Sequence, residues 1–468
     1  MTTKEWLQTE HLLNTMRKMA IIRRRGRLSV EEIAKRNKLE IASKLPLELQ
    51  QELSDRNLNR RYRVKDAAQM IGVSSKTIYA AEEDGRLHTP DFRSDTLNKT
   101  RLGYTINQIN HMRAVFKTLP TRPPGTRGII SGMLNQKGGS TKTTSTLLYA
   151  QYLAIKGYRV LVVDTDGQGS VSFALGKKPN IDIWRRHTIT PYMLMDDGDV
   201  ELDGEDGVLE EGESENLRYA VQKTYWDNID VIPACMENLQ IDMAMQSVFS
   251  ENEISSIDIV QHLRYGLLDL ANDYDFILLD GTPSLNILTL NVIAACDLVF
   301  TPVPASMFDF TSSVEFAAMV ETAIHTYTNQ QISPNTPFFQ FFISKFSESD
   351  YAKSMAGIIR AVFNVESGDC LTAELHQSDE IGKAGNTGMS VYEVNPSESN
   401  NRVKLKETIQ MIDTLFSEIF QRSGAIMWGY ESNADLGEKI MSFVQTEEAM
   451  QEAQESLYEP QVPNDDLH

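Results

Sequence analysis

Residues 133–146 read Met-Leu-Asn-Gln-Lys-Gly-Gly-Ser-Thr-Lys-Thr-Thr-Ser-Thr. An apolar stretch, Gly128–Leu134, enters this segment and a helically periodic one, Leu147–Ile155, leaves it, so the glycines join a strand to a helix. Phosphate oxygens need backbone N–H groups aimed at them from close range. Gly138 and Gly139 permit that approach, and the helix N-terminus behind them adds its dipole. The cradle predicted from this spacing runs through Gly138, Gly139, Ser140, Thr141, Lys142, Thr143 and Thr144. Lys142 is placed to reach the β- and γ-phosphates of a nucleotide, and Thr143 to offer a hydroxyl to Mg²⁺. The strict pattern G-x-x-x-x-G-K-[ST] is not met, because Gln136 and Thr141 stand at its two glycine positions.

The match is to a variant, K-G-G-x-x-K-[ST], with an extra lysine before the glycines. Lys137–Thr143 resembles the deviant Walker A loop of the ParA/MinD ATPases. That resemblance implies ATP and Mg²⁺ as cofactors. It also implies that Lys137, otherwise an ordinary surface lysine, crosses a dimer interface to touch the partner's nucleotide. Val160–Ser170 looks like the second strand of that family and its D-x-D-P-Q-G switch, which implies that Asp166 orients the attacking water and Asp164 supports the Mg²⁺ shell. Read alone, such an Asp pair is a loop cap. Gly167 replaces the family proline, so a looser switch is expected. Phe276–Pro283 looks like the Walker B strand, with Asp280 near Mg²⁺. The catalytic set implied is Lys137, Lys142 and Asp166; the metal set is Thr143, Asp164 and Asp280.

Two further stretches, Leu298–Ser313 and Ser378–Lys383, resemble the large ParA/SopA-type plasmid partition ATPases. The likeness runs from about Arg60 to about Met427. It implies sequence-independent DNA binding through Lys383. The arginines that follow this lysine in the family are absent, and Lys404 and Lys406 are candidates to replace them.

Upstream, residues 63–87 carry a second pattern. A helix is expected from about Lys65 to Met70, with Gly72 at the turn and Val73 plugging the angle. Ser74 or Ser75 caps a second helix that runs through Asp84. Ala68, Ile71, Val73 and Ile78 supply a small core. Ser75, Lys76, Thr77 and Tyr79 then face a major groove or its phosphates. Arg86, His88, Arg93, Lys99 and Arg101 fall on a candidate wing. The pattern resembles winged helix-turn-helix domains, although a glycine-centred helical hairpin also serves purely structural ends. The charge distribution favours nucleic acid. The whole chain carries −20, but residues 1–128 carry +11 and the remainder −31. A basic front on an acidic body is a footprint for DNA that the total conceals.

At 468 residues the chain is too long for one core. Five segments are expected: a helical dimerisation segment at 1–50, a winged helix-turn-helix domain at 51–118, a stiff linker at 119–127 marked by Pro120, Pro123, Pro124 and Gly125, an ATPase domain at 128–428, and an acidic tail at 429–468. The strand candidates are Gly128–Leu134, Arg159–Asp164, Ile229–Pro233, Phe276–Asp280, Leu298–Pro302 and Phe338–Ile343. Alternating with helical segments, they define an α/β fold with a doubly wound, mostly parallel sheet, preceded by an all-α region. Asp196–Glu215 is too acidic to bury a core and reads as a solvated loop, and a short amphipathic helix is expected near Ile440–Met450. Cys235, Cys296 and Cys370 are too dispersed for a disulfide framework or a local zinc site. No apolar run spans a membrane, and no signal peptide is visible.

The expectation from this resemblance is a DNA partition ATPase: weak alone, Mg²⁺-dependent, cytoplasmic and nucleoid-associated. Its implied partners are DNA, bound non-specifically and at an operator through the helix-turn-helix, a ParB-like centromere-binding protein, and a second copy in a homodimer or a filament built from it. The alternative is a nucleotide-regulated transcriptional repressor without a segregation role. A MinD-like membrane cycler requires a basic amphipathic C-terminus, which the acidic tail is not. A reductase resembling the nitrogenase iron protein requires a partner cysteine for Cys296, and none lies in a comparable place.

Overall fold

The computed structural model describes residues 58–92, 101–179, 182–197, 209–242, 244–245, 256–329, 335–363, 369–386, 388–397, 399 and 401–429. The expected helical segment at 1–50, the acidic tail past Gly429 with its short helix, wing residues Arg93 and Lys99, and the middle of Asp196–Glu215 lie outside them.

Seven strands form one sheet: β1 (Ile129–Met133), β2 (Val160–Asp164), β3 (Gln222–Lys223), β4 (Ile229–Ile232), β5 (Phe276–Asp280), β6 (Leu298–Pro304) and β7 (Phe338–Ser344). Their spatial order is β3-β4-β2-β5-β1-β6-β7. Every pairing is parallel except β3 with β4. Six strands coincide with the expected apolar runs. The seventh, β3, was not expected: two residues at an antiparallel edge leave no periodicity to read.

Strands buried on both faces read as continuous apolar runs, and β1, β2, β4, β5 and β6 are buried throughout. Alternate residues serve opposite faces. Ile129, Met133, Val160, Val162, Phe276 and Leu278 face one core, with Tyr149 and Leu153 of α4 (Lys142–Lys156) and Leu415, Phe416 and Ile419 of α12 (Arg402–Trp428). Ile130, Leu161, Val163, Ile277 and Leu279 face the other, with Leu263 and Leu267 of α7 (Ser256–Leu270), Val292 of α8 (Ile287–Ala295) and Phe316 of α9 (Met307–Asn329).

The front of the described chain forms α1 (Val64–Ile71), α2 (Ser75–Glu83) and α3 (Ile106–Phe116). Gly72 ends α1 at φ +83°, a left-handed conformation that an L side chain adopts at a cost. Ser74, not Ser75, caps α2: its Oγ accepts the Thr77 N–H at 3.1 Å. Two antiparallel bridges, Tyr62–Tyr104 and Phe92–Arg101, bring the strand-like flanks of this unit together.

This unit is not held apart by its linker. Ala67, Ile71, Ile78, Leu87 and Ile109 belong to the same continuous core as Tyr149 and Phe416. The Asn110 amide donates to the Ala154 carbonyl at the end of α4 (3.3 Å), and Arg60 donates to the Tyr392 carbonyl at 2.8 Å. The linker itself, expected to be stiff, is pinned down: the Arg122 guanidinium donates to the carbonyls of Tyr274 (2.7 Å) and Asn272 (2.6 Å). Buried Arg113, unforeseen in the sequence, donates to the Met70 carbonyl at 3.0 Å and so ties α3 to α1.

Candidate functional site

β1 lies between β5 and β6, so the loop after it opens at the C-terminal edge of the sheet, where strand order reverses. Asn135 anchors the loop. Its amide donates to the Pro302 carbonyl (2.8 Å) and to Ser313 Oγ (2.9 Å), and its Oδ1 accepts the Lys137 N–H (3.0 Å). On the far side, Ser344 Oγ donates to the Ser140 carbonyl at 3.2 Å. The loop is thus clamped at both ends before Lys142 opens α4.

Lys142 is buried, and its Nζ donates to the Lys137 carbonyl at 3.2 Å, curling the loop around it. Burial pulls its ammonium below the usual lysine range, while the nearby Asp280 and Asp166 carboxylates oppose that shift. Asp280 ends β5, fully buried. Its Oδ1 accepts from Thr146 Oγ1 at 3.2 Å, and the nearby Thr143 hydroxyl and Lys142 ammonium pull its carboxyl down against the effect of burial. Thr146, one helical turn past Lys142, had no sequence signal marking it.

Asp164 pairs in register with Asp280 across β2 and β5. Both carboxyls are held above the ordinary range, chiefly by burial; for Asp164 the neighbouring Asp280 adds to the effect. Asp164 is well supplied with donors from the chain. Its Oδ2 accepts from Ser172 N (2.9 Å) and Oγ (2.6 Å), and its Oδ1 accepts the Asp166 N–H (3.1 Å). It therefore fastens α5 (Ser170–Ala174) and aims the following aspartate. Asp166 is half-buried, and its Oδ1 accepts the Gln168 N–H at 3.0 Å.

Gly167, expected to loosen the switch, is buried beneath Leu239: a Cβ there would stand 2.8 Å from Leu239 Cγ. Gly169 is more constrained, at φ +65° with Pro179 Cγ 2.4 Å from a would-be Cβ. Lys137 is 43% exposed and pairs with Asp309 at 3.5 Å. Thr141 stands at φ +80°, a left-handed conformation that a β-branched residue tolerates poorly. Replacing Thr141 with glycine is expected to stabilise the chain by about 1 kcal/mol, read as a rise in melting temperature.

The residues present suit a magnesium nucleotide. Ser140 Oγ, Thr141 Oγ1, Ser145 Oγ and Asp280 Oδ2 are buried without a hydrogen-bond partner among the described residues, an unusual concentration of unmet polar atoms around one loop. Among the described residues no group of three or more His, Cys, Asp or Glu comes together to hold a metal. Mg²⁺ in nucleotide sites takes most of its oxygens from phosphate and water and needs only one or two protein ligands.

The candidate DNA residues lie on separate elements. Lys76, Thr77 and Tyr79 are exposed on α2, and Ser75 is half-buried. Thr77 Oγ1 lies 2.9 Å from Ser74 Oγ, and the Arg101 guanidinium stacks over the Tyr79 ring at 4.8 Å. Arg86 is engaged by Asp84 at 2.7 Å. Lys383, in α11 (Asp379–Asn386), pairs with Glu380 at 2.8 Å, and Lys404 with Asp379 at 3.2 Å.

A mostly parallel α/β sheet whose first strand feeds a K-G-G-x-x-K-T loop defines a P-loop protein of the ParA/MinD class. A family model described as an AAA domain matches residues 128–333. Protein SopA of Escherichia coli (strain K12) is 32% identical over 370 residues, covering 78% of this chain and 89% of SopA. Plasmid partition protein A of Escherichia coli is 28% identical over 56% of this chain and 63% of its own length. A solved structure called Partition Protein superposes with a TM-score of 0.57 at 18% identity, covering 78% of this chain and 92% of that one, which shows a shared fold. This chain belongs to the family of large ParA/SopA-type plasmid partition ATPases. No helix among the described residues is long and apolar enough to cross a membrane.

Proposed function

We propose that this chain is an ATP- and Mg²⁺-dependent DNA partition ATPase that dimerises on ATP, holds DNA non-specifically in that state and releases it on hydrolysis. The observation that carries the reading is the convergence of Lys142, Thr143, Asp166 and Asp280 on one clamped loop with unmet buried polar atoms. Phosphoryl transfer asks for positioning and charge neutralisation more than covalent chemistry. Lys142 neutralises the β/γ oxygens, the loop amides from Gly138 to Thr144 cradle them, and Asp166 aligns the attacking water. Mg²⁺, held by the Thr143 hydroxyl with Asp280 beside it, would spread the charge of the departing phosphates. Asp164 contributes indirectly, by fixing the Asp166 backbone. Lys137 acts across the dimer on the partner's nucleotide once it leaves Asp309.

The α1–turn–α2 unit acts as a winged helix-turn-helix, with Ser75, Lys76, Thr77 and Tyr79 toward an operator and Arg86 on its flank. The segments at 1–50, 51–118, 119–127, 128–428 and 429–468 serve dimerisation, operator reading, connection, ATPase action and an acidic extension. Lys383 belongs to the non-specific DNA surface, from which Glu380 must yield it. Autorepression of its own operon follows from the same parts. The packing of this unit against α4, which opens at Lys142, favours nucleotide-dependent presentation of α2.

The test is ATP turnover of the full chain with DNA, with a ParB-like partner, and with both. Stimulation by both together is expected. A repressor whose nucleotide only sets conformation would show none. DNA retention should also fall by about tenfold or more between roughly 50 and 200 mM salt, because Lys and Arg release counterions from phosphates. A gel-shift series that stays flat would contradict phosphate-dominated contact.

A further inference from the structure

Lys345 follows β7 directly and takes a left-handed backbone at φ +50°, one of four non-glycine residues at positive φ among those described. Its neighbours fix it there. The Ser344 carbonyl accepts the Ala305 N–H at 3.0 Å, and the Phe346 N–H donates to the Leu375 carbonyl at 3.1 Å. Ser344 meanwhile ties this corner to the phosphate loop through its hydroxyl on the Ser140 carbonyl. Such a backbone persists only where its surroundings over-determine it. Its result is to bring an exposed side chain to the loop: Lys345 Nζ lies 3.8 Å from where a Cβ on Gly139 would stand.

No carboxylate among the described residues answers this ammonium. That sets it apart from Lys137 at the same loop, which Asp309 holds at 3.5 Å. In a chain of net charge −20, a lysine held unpaired beside a glycine loop is suited to a polyanion.

We propose that Lys345 is a further phosphate ligand of the nucleotide, supplied by the same chain from the end of β7, and that its left-handed backbone exists to deliver it. The proposal rests on the reading of this loop as an ATP site and adds a residue to it. The role is one of binding: it engages the phosphates of ADP and ATP alike before any bond breaks.

The experiment is calorimetric titration of the full chain with ADP and with ATP, both with magnesium, comparing the wild type with Lys345→Asn and Lys345→Arg. Asparagine tolerates the left-handed backbone, so Lys345→Asn removes the charge without new strain. About a tenfold loss of affinity for both nucleotides is expected in Lys345→Asn at unchanged melting temperature, with most of it regained in Lys345→Arg. Lys345→Asn binding both nucleotides as the wild type does, or Lys345→Arg binding as poorly as Lys345→Asn, would overturn the role of Lys345 and leave the pocket intact. A wild-type chain that takes up neither nucleotide would remove the pocket reading and this proposal with it.

Discussion

Lys142→Ala is expected to lose ATP binding by about a hundredfold or more, and with it all ATP-dependent retention on DNA. Lys142 is the buried cation facing a cluster of acids: Asp280 and Asp166 both act on its charge, and Asp164 sits in register beside Asp280. Without it, a triphosphate would face the Asp280 and Asp166 carboxylates with no buried cation set against them. The loop would also lose the internal donor to the Lys137 carbonyl that curls it. Truncating one member of a desolvated charge pair costs about 2–5 kcal/mol, much of it from the charge left behind. Calorimetry with ATP and magnesium reads the first effect and a gel shift with and without ATP reads the second. Undiminished ATP uptake by this variant would mean that the loop does not hold the phosphates.

Asp166→Ala should separate binding from turnover. Asp166 Oδ1 is spent on the Gln168 N–H, and no hydrogen bond reaches its other oxygen from the described chain. That second oxygen is the one available to a water. ATP affinity and ATP-dependent DNA binding should survive the substitution, because Lys142 and the loop amides are untouched. Hydrolysis should fall by about a hundredfold or more, the usual contribution of a positioned base. The measurement is phosphate release under DNA and partner stimulation, beside a DNA-binding titration of the same preparation. A variant that hydrolyses ATP at the wild-type rate would transfer the water-positioning role elsewhere. One that fails to bind ATP would place Asp166 in the binding set.

Much of this site was legible in the sequence because its signals are local. The glycines, Lys142 and Thr143 fall within one short segment, Asp164 and Asp280 end strands that are otherwise apolar, and Asp166 follows Asp164 by two residues. Missing from that reading were contacts between distant segments. Ser344 reaches Ser140 and Lys345 reaches Gly139 only because β7 is placed two strands from β1. Leu239, from the short helical turn Met236–Gln240 72 residues further along, fills the space beside Gly167. Thr146 looks like any helix residue until Asp280 arrives beside it. The linker is read from its prolines, which carry no sign that the guanidinium of Arg122 fastens the segment to the Tyr274 and Asn272 carbonyls.

The continuous core beneath α1–α3 and α4 has a consequence for how such a protein diversifies. Modules joined by a free tether can be exchanged between lineages one at a time, each keeping its own partners. Here the front unit roofs the far end of α4, where Asn110 takes up the Ala154 carbonyl, while Arg60 holds the Val391–Tyr392 turn. A new operator specificity grafted at the proline-rich joint would inherit a mismatched roof, so the two halves are constrained to vary together, residue against residue.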